Sequence, residues 1–78
     1  MSPREVLGYV RLEPFRPFRI HMASGRIFDI RHPEMVRVGA RDLIIFKFVS
    51  DTPDVYDEWD TVGLLLIESI SHLEASVA

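Results

Sequence analysis

A chain of 78 residues without cysteine makes one small domain that buries only about 60–65% of its unfolded surface, with no disulfide or cysteine–zinc site to staple it. No apolar run reaches the ~20 residues of a membrane helix, and Met1-Ser2-Pro3-Arg4-Glu5 lacks the basic-then-apolar pattern of a signal peptide; with no cysteine to oxidise, a soluble cytoplasmic protein is expected. The net charge is −3, yet all nine Lys and Arg lie at or before Lys47, so residues 1–47 carry +4 and residues 48–78 carry −7.

The first element is a helix over about residues 3–12. Ser2 is placed to cap it, Pro3 suits the first helical position, and Glu5 can close a capping box. Val6, Leu7 and Val10 follow at helical spacing. Pro14 ends the helix, because the residue before a proline is pushed out of the α region. Pro14 and Pro17 then make a stiff corner around Phe15-Arg16.

From Phe18 the period becomes two. Phe18, Ile20 and Met22 share one face, with Arg19 and His21 on the other. A turn at Ala23-Ser24-Gly25 with Gly25 left-handed sets Ile20 opposite Phe28, Phe18 opposite Ile30 and Arg19 opposite Asp29. The strands of this hairpin are expected over about 18–23 and 26–38, the second bent at His32-Pro33 because proline cannot donate to a central ladder. A turn over 39–42 leads to the strongest strand, about 42–49. Residues 50–60 read as a long acidic loop, 62–67 as a fourth strand, 68–71 as a short turn and 72–74 as a final strand. The tail from Ala75 is expected to fray.

One helix and about five short, bent antiparallel strands make a mainly β fold, a small barrel in which proline and glycine mark the bends. The stretch Pro14-Phe15-Arg16-Pro17-Phe18-Arg19, then Ser24-Gly25-Arg26 and His32-Pro33-Glu34, resembles the signature of a family of short, functionally uncharacterised bacterial proteins. That resemblance runs along most of the chain and implies the fold without implying an activity. The element order is also similar to Sm-like and SH3-like barrels, a resemblance of architecture only. The Sm sequence motifs are not present.

Candidate chemistry is sparse. His21, His32 and His72 fall on a strand face, at a bend and on a late strand, without a metal-ligand spacing. Asp51, Asp54, Asp57 and Asp60 recur every three residues, whereas a calcium loop offers positions 1, 3 and 5 with a glycine turn. No glycine-rich phosphate loop and no nucleophile–base pairing is suggested, so no catalytic group, metal or cofactor is assigned. Arg16, Arg19 and Arg31 are candidate contacts to nucleic acid or a partner, although Asp29, Glu34 and Asp42 interleave with the arginines. Tyr56 and Trp59 are candidate loop contacts, capping the barrel or meeting a partner.

Two apolar runs, 43–46 and 64–67, are apolar on both faces, where a half-buried strand would alternate. One ten-residue helix cannot cover both outer faces, and an exposed apolar strand invites association. Leu43, Ile45, Leu65 and Ile67 are therefore the candidate oligomer interface. The charge asymmetry has three readings: a basic face for an anionic partner, copies meeting basic to acidic, or neighbouring strands neutralising each other. The expected function is a non-catalytic, homo-oligomeric module that binds a protein or itself. The alternative is an Sm-like RNA-binding ring that uses the basic first half.

Overall fold

The computed structural model describes residues 1–49 and 52–73. In chain order the elements are α1 (Pro3–Val10), β1 (Phe18–Met22), β2 (Ile27–Ile30), β3 (Val36–Val38), β4 (Asp42–Val49), β5 (Thr52–Gly63) and β6 (Ile67–His72). Short 3-10 turns occupy Pro33–Met35 and Leu64–Leu66. The fold is mainly β with one N-terminal helix. The strands form two three-stranded antiparallel sheets, ordered β2-β1-β6 and β3-β4-β5. No ladder joins the two sheets among the described residues, so the expected five-stranded antiparallel barrel is not closed by strand pairing there.

The start of α1 follows its sequence signals. Ser2 Oγ accepts from the Glu5 N–H at 3.2 Å, and the Glu5 carboxylate accepts from the Ser2 N–H at 2.9 Å. Two orphan donors of the first turn are thereby satisfied. Val6 is fully buried, while Leu7 and Val10 are half-buried. The helix ends at Val10, two residues earlier than expected, where the Arg11 N–H closes the last turn on Leu7. Leu12 and Glu13 then lead out to Pro14 through a cis peptide bond. Among the described residues, no helix is long and apolar enough to cross a membrane.

The first hairpin has the register that its alternation implies. Phe18 faces Ile30, Arg19 faces Asp29 and Ile20 faces Phe28. Gly25 closes the turn at φ +96°, in the left-handed region that favours glycine. Its N–H donates to the Met22 carbonyl at 2.9 Å. On the other side β1 pairs with β6, placing Ile20 opposite Ile70. β1 is therefore the central strand of its sheet, and its inward residues Phe18, Ile20 and Met22 are all buried.

The second limb of the expected 26–38 strand is interrupted. Pro33–Met35 winds into a 3-10 turn, after which β3 pairs with β4 in the other sheet. The chain returns from β5 through Leu64–Leu66, where a strand was expected. A 3-10 turn has about three residues per turn, so positions three apart point the same way. Leu64 and Ile67 fill the core in this manner, while Leu65 between them is 90% exposed. The expected turn at 68–71 is instead part of β6, and the expected strand at 72–74 ends at His72. Ser50, Asp51 and the residues from Glu74 onward, including the expected frayed tail, lie outside the described residues.

The core joins both sheets and the helix: Val6, Phe18, Ile20, Met22, Phe28, Ile30, Val36, Leu43, Ile45, Leu64 and Ile67. This corrects three of the four expected interface residues. Leu43, Ile45 and Ile67 point inward because they occupy the core-facing positions of β4 and the start of β6. They stabilise the single chain. Truncating a buried leucine removes its transfer energy and leaves a cavity, at about 2–5 kcal/mol. Leu43→Ala is therefore expected to lose a large share of the ~5–15 kcal/mol stability of a small domain. Urea unfolding checks this, as a lowered midpoint with an unchanged slope.

Candidate partner interface

The second sheet carries an uncovered face. β4 alternates Leu43 and Ile45 inward with Ile44 and Phe46 outward, and all four are apolar. β5 lies against it with Trp59 opposite Phe46 and Tyr56 opposite Phe48. In an unbroken strand, Tyr56 and Trp59 are three apart and face opposite ways. A register shift between Lys47 and Phe48 prevents this: Lys47 pairs with Glu58, Phe48 pairs with Tyr56, and Asp57 is left over. Asp57 is thus the extra residue of a β-bulge, and the bulge returns Tyr56 to the side of Trp59.

The result is an aromatic cluster on the outer face. Phe46 and Tyr56 have ring centroids 4.6 Å apart, and Tyr56 meets Trp59 edge-on at 5.9 Å. Both distances fall in the attractive range for aromatic pairs. Tyr56 remains 49% exposed and Trp59 59% exposed. Val55 beside them is also exposed.

The residues expected to form a loop at 50–60 are thus largely strand. Thr52, Val55, Tyr56, Trp59, Thr61 and Val62 are strand formers, and the acids among them are accommodated at the surface or by pairing. Asp60 accepts from Arg26 Nη2 at 3.3 Å and lies 3.6 Å from Lys47 Nζ, which also approaches Glu58 at 3.8 Å. These contacts join the basic and acidic parts of the sequence within one chain. Arg26 also lies over the Phe28 ring at 4.8 Å. Tyr56 and Trp59 do not cap a barrel end; they stand on the face of a sheet. Asp51 and the Asp54 side chain lie outside the described residues, and among the described residues no three His, Asp or Glu converge as metal ligands would.

The arginine candidates separate. Arg19 donates twice to Asp29, through Nε at 2.7 Å and Nη2 at 3.1 Å. Arg31 approaches the same carboxylate at 3.8 Å. Both are turned toward one acid on the outer face of the first sheet. Arg16 is exposed on the proline corner and makes no ion pair among the described residues. His21 Nε2 lies 3.1 Å from Ser71 Oγ on an exposed sheet face. His72 packs against the Tyr9 ring at 5.3 Å, and its buried Nδ1 has no hydrogen-bond partner among the described residues.

Leu65 keeps its place as a candidate contact, now at the tip of the 3-10 turn. Sequence reasoning missed Phe46 and Phe48 as outward-facing residues, because an all-apolar run gives no sign of which face each side chain takes. The bulge at Asp57 has no sequence signal either.

Hydrogen bonds from Arg19 hold the Asp29 carboxyl below its ordinary value, against a smaller opposing effect of desolvation; the positive charges of Arg19, Arg31 and His21 act in the same direction as the hydrogen bonds. A carboxyl lowered in the folded state stabilises fully above its unfolded pKa, about 3.9, and this contribution is lost as pH falls through the folded value. Asp29→Asn is expected to lower the urea midpoint at pH 7, with the difference from the parent closing as pH is taken from 5 toward 2. A difference that persists unchanged at pH 2 contradicts this assignment. No family model matches the chain, and searches of curated proteins and of solved structures give no match.

Proposed function

We propose that the protein is a non-catalytic small-barrel module that associates with copies of itself, with a protein partner as the other occupant of the same surface. The observation that carries this reading is the uncovered aromatic face of β4 and β5, which ends at an open strand edge. Large aromatics dominate the energetics of protein interfaces, and an unpaired edge is a template for association. Leu65, 90% exposed, adds an apolar knob. We place the protein in the cytoplasm, a compartment that suits a chain without cysteine.

The chain order supports an Sm-like or SH3-like relation. β2 and β3 serve as two limbs of one segment bent at Pro33–Met35, which reduces the six strands to the five of such barrels. The alternative of an RNA-binding ring has less support. Two of its three candidate arginines, Arg19 and Arg31, share the Asp29 carboxylate, and the aromatic face that could stack bases stands beside Asp57 and Glu58.

Light scattering tests the reading. A mass that is a multiple of the 9.0 kDa chain is expected, and a monodisperse monomer at high concentration overturns it. Trp59→Ala is expected to weaken association by about 2 kcal/mol or more, roughly 30-fold in Kd, and Leu65→Glu to weaken it also. Trp59 is the only tryptophan, so its emission is expected to shift to the blue as the protein is concentrated.

A further inference from the structure

The second sheet has two open edges, and they carry opposite character. At the β3 edge a groove runs between β3 and α1, with Leu7, Val10, Val36 and Val38 as its apolar lining. Arg11, Arg37 and Glu34 are the charges along it. A neighbouring depression extends the basic side to Arg4. Among the described residues Arg4, Arg11 and Arg37 make no ion pair, so with Glu34 the groove has a net charge of +2. Among the described residues, the outer side of β3 pairs with no strand.

At the opposite edge, β5 presents Val55, Tyr56, Asp57, Glu58 and Trp59, all exposed. Apolar and acidic side chains are interspersed there on an arm that, among the described residues, pairs only with β4. Asp57, the bulged residue, makes no ion pair among the described residues. One edge therefore offers apolar surface with free arginines, and the other offers apolar surface with free carboxylate. β4 stands between them, at about 5 Å to either neighbour. The two edges point away from each other and cannot meet within one chain.

We infer that the groove between α1 and β3 of one copy seats the Val55–Trp59 arm of β5 from a second copy. The occupant extends the sheet by strand addition, its Asp57 and Glu58 meet Arg11 and Arg37, and its apolar residues cover Leu7, Val10 and Val38. The contact joins different surfaces on the two partners. It is therefore heterologous and repeats from copy to copy, closing into a ring or running on as a filament according to the rotation. This seat rests on the self-association proposed above and specifies where it occurs.

Charge reversal tests it by light scattering at low salt, where exposed charges are least screened. R11E/R37E and D57R are each expected to dissociate at a concentration where the parent is assembled, with Kd raised at least about tenfold. All three side chains are exposed, and far-UV circular dichroism checks that the variants stay folded. An equimolar mixture of the two variants is expected to regain the assembled mass, because the carboxylates introduced on the groove of one copy then meet the guanidinium introduced on the arm of the other. If the parent assembles and both variants assemble equally well, the seat is wrong and self-association stands. Variants that dissociate without recovery in the mixture also overturn the seat. A monomeric parent overturns both readings.

Discussion

Phe18, Ile20 and Met22 of β1 and Leu43 and Ile45 of β4 are withdrawn from water into one core, and a chain of this length has little other apolar surface to spend on stability. At about 25 cal/mol per Å² of apolar area, these inward faces supply the main driving force. Every other element is placed to keep them covered. α1 contributes Val6 from the side, β2 contributes Phe28 and Ile30, and the two 3-10 turns carry the chain between the sheets while adding Leu64. The core is complete without Phe46, Tyr56 or Trp59, which is why these remain on the outside.

The two crossings solve the same problem with different residues. A strand that continues straight stays in its own sheet, so a change of sheet requires a sharp change of direction. At Pro33–Met35 proline has a fixed φ and no N–H to offer a ladder. At Leu64–Leu66 the turn follows Gly63 and is made of three leucines, of which only Leu64 enters the core. The second crossing gains a core residue and leaves Leu65 in solvent.

The first hairpin was legible because several signals agree on it: period-two alternation, a proline corner before it and Gly25 at its turn. The β5 arm was not legible because its acids mask its strand formers; Asp57, Glu58 and Asp60 read as loop until Lys47 is seen beside Glu58 and Asp60, and Arg26 beside Asp60. Leu64–Ile67 defeats periodicity for the opposite reason. Four apolar residues in a row fit a strand of period two and a turn of period three equally well. The same ambiguity assigned Leu43 and Ile45 to an interface when they are core. The facing of Arg19 and Asp29 was legible from the hairpin register; the approach of Arg31 to the same carboxylate was not, because it depends on how the chain leaves β2.

The pairing of β1 with β6 brings His21 beside Ser69 and Ser71, residues about fifty positions further along the chain. β4 and β5, by contrast, follow one another directly. Closing a long loop costs more chain entropy than closing a short one, and folding slows as contacts become more distant in sequence. The outward-facing β4–β5 hairpin therefore belongs to the local, early-forming part of the molecule. The sheet that buries Phe18 and Ile20 is finished only when β6 arrives. During that interval the aromatic arm exists without its completed core, so the surface proposed for assembly is also the one exposed first to wrong partners while the chain is still folding.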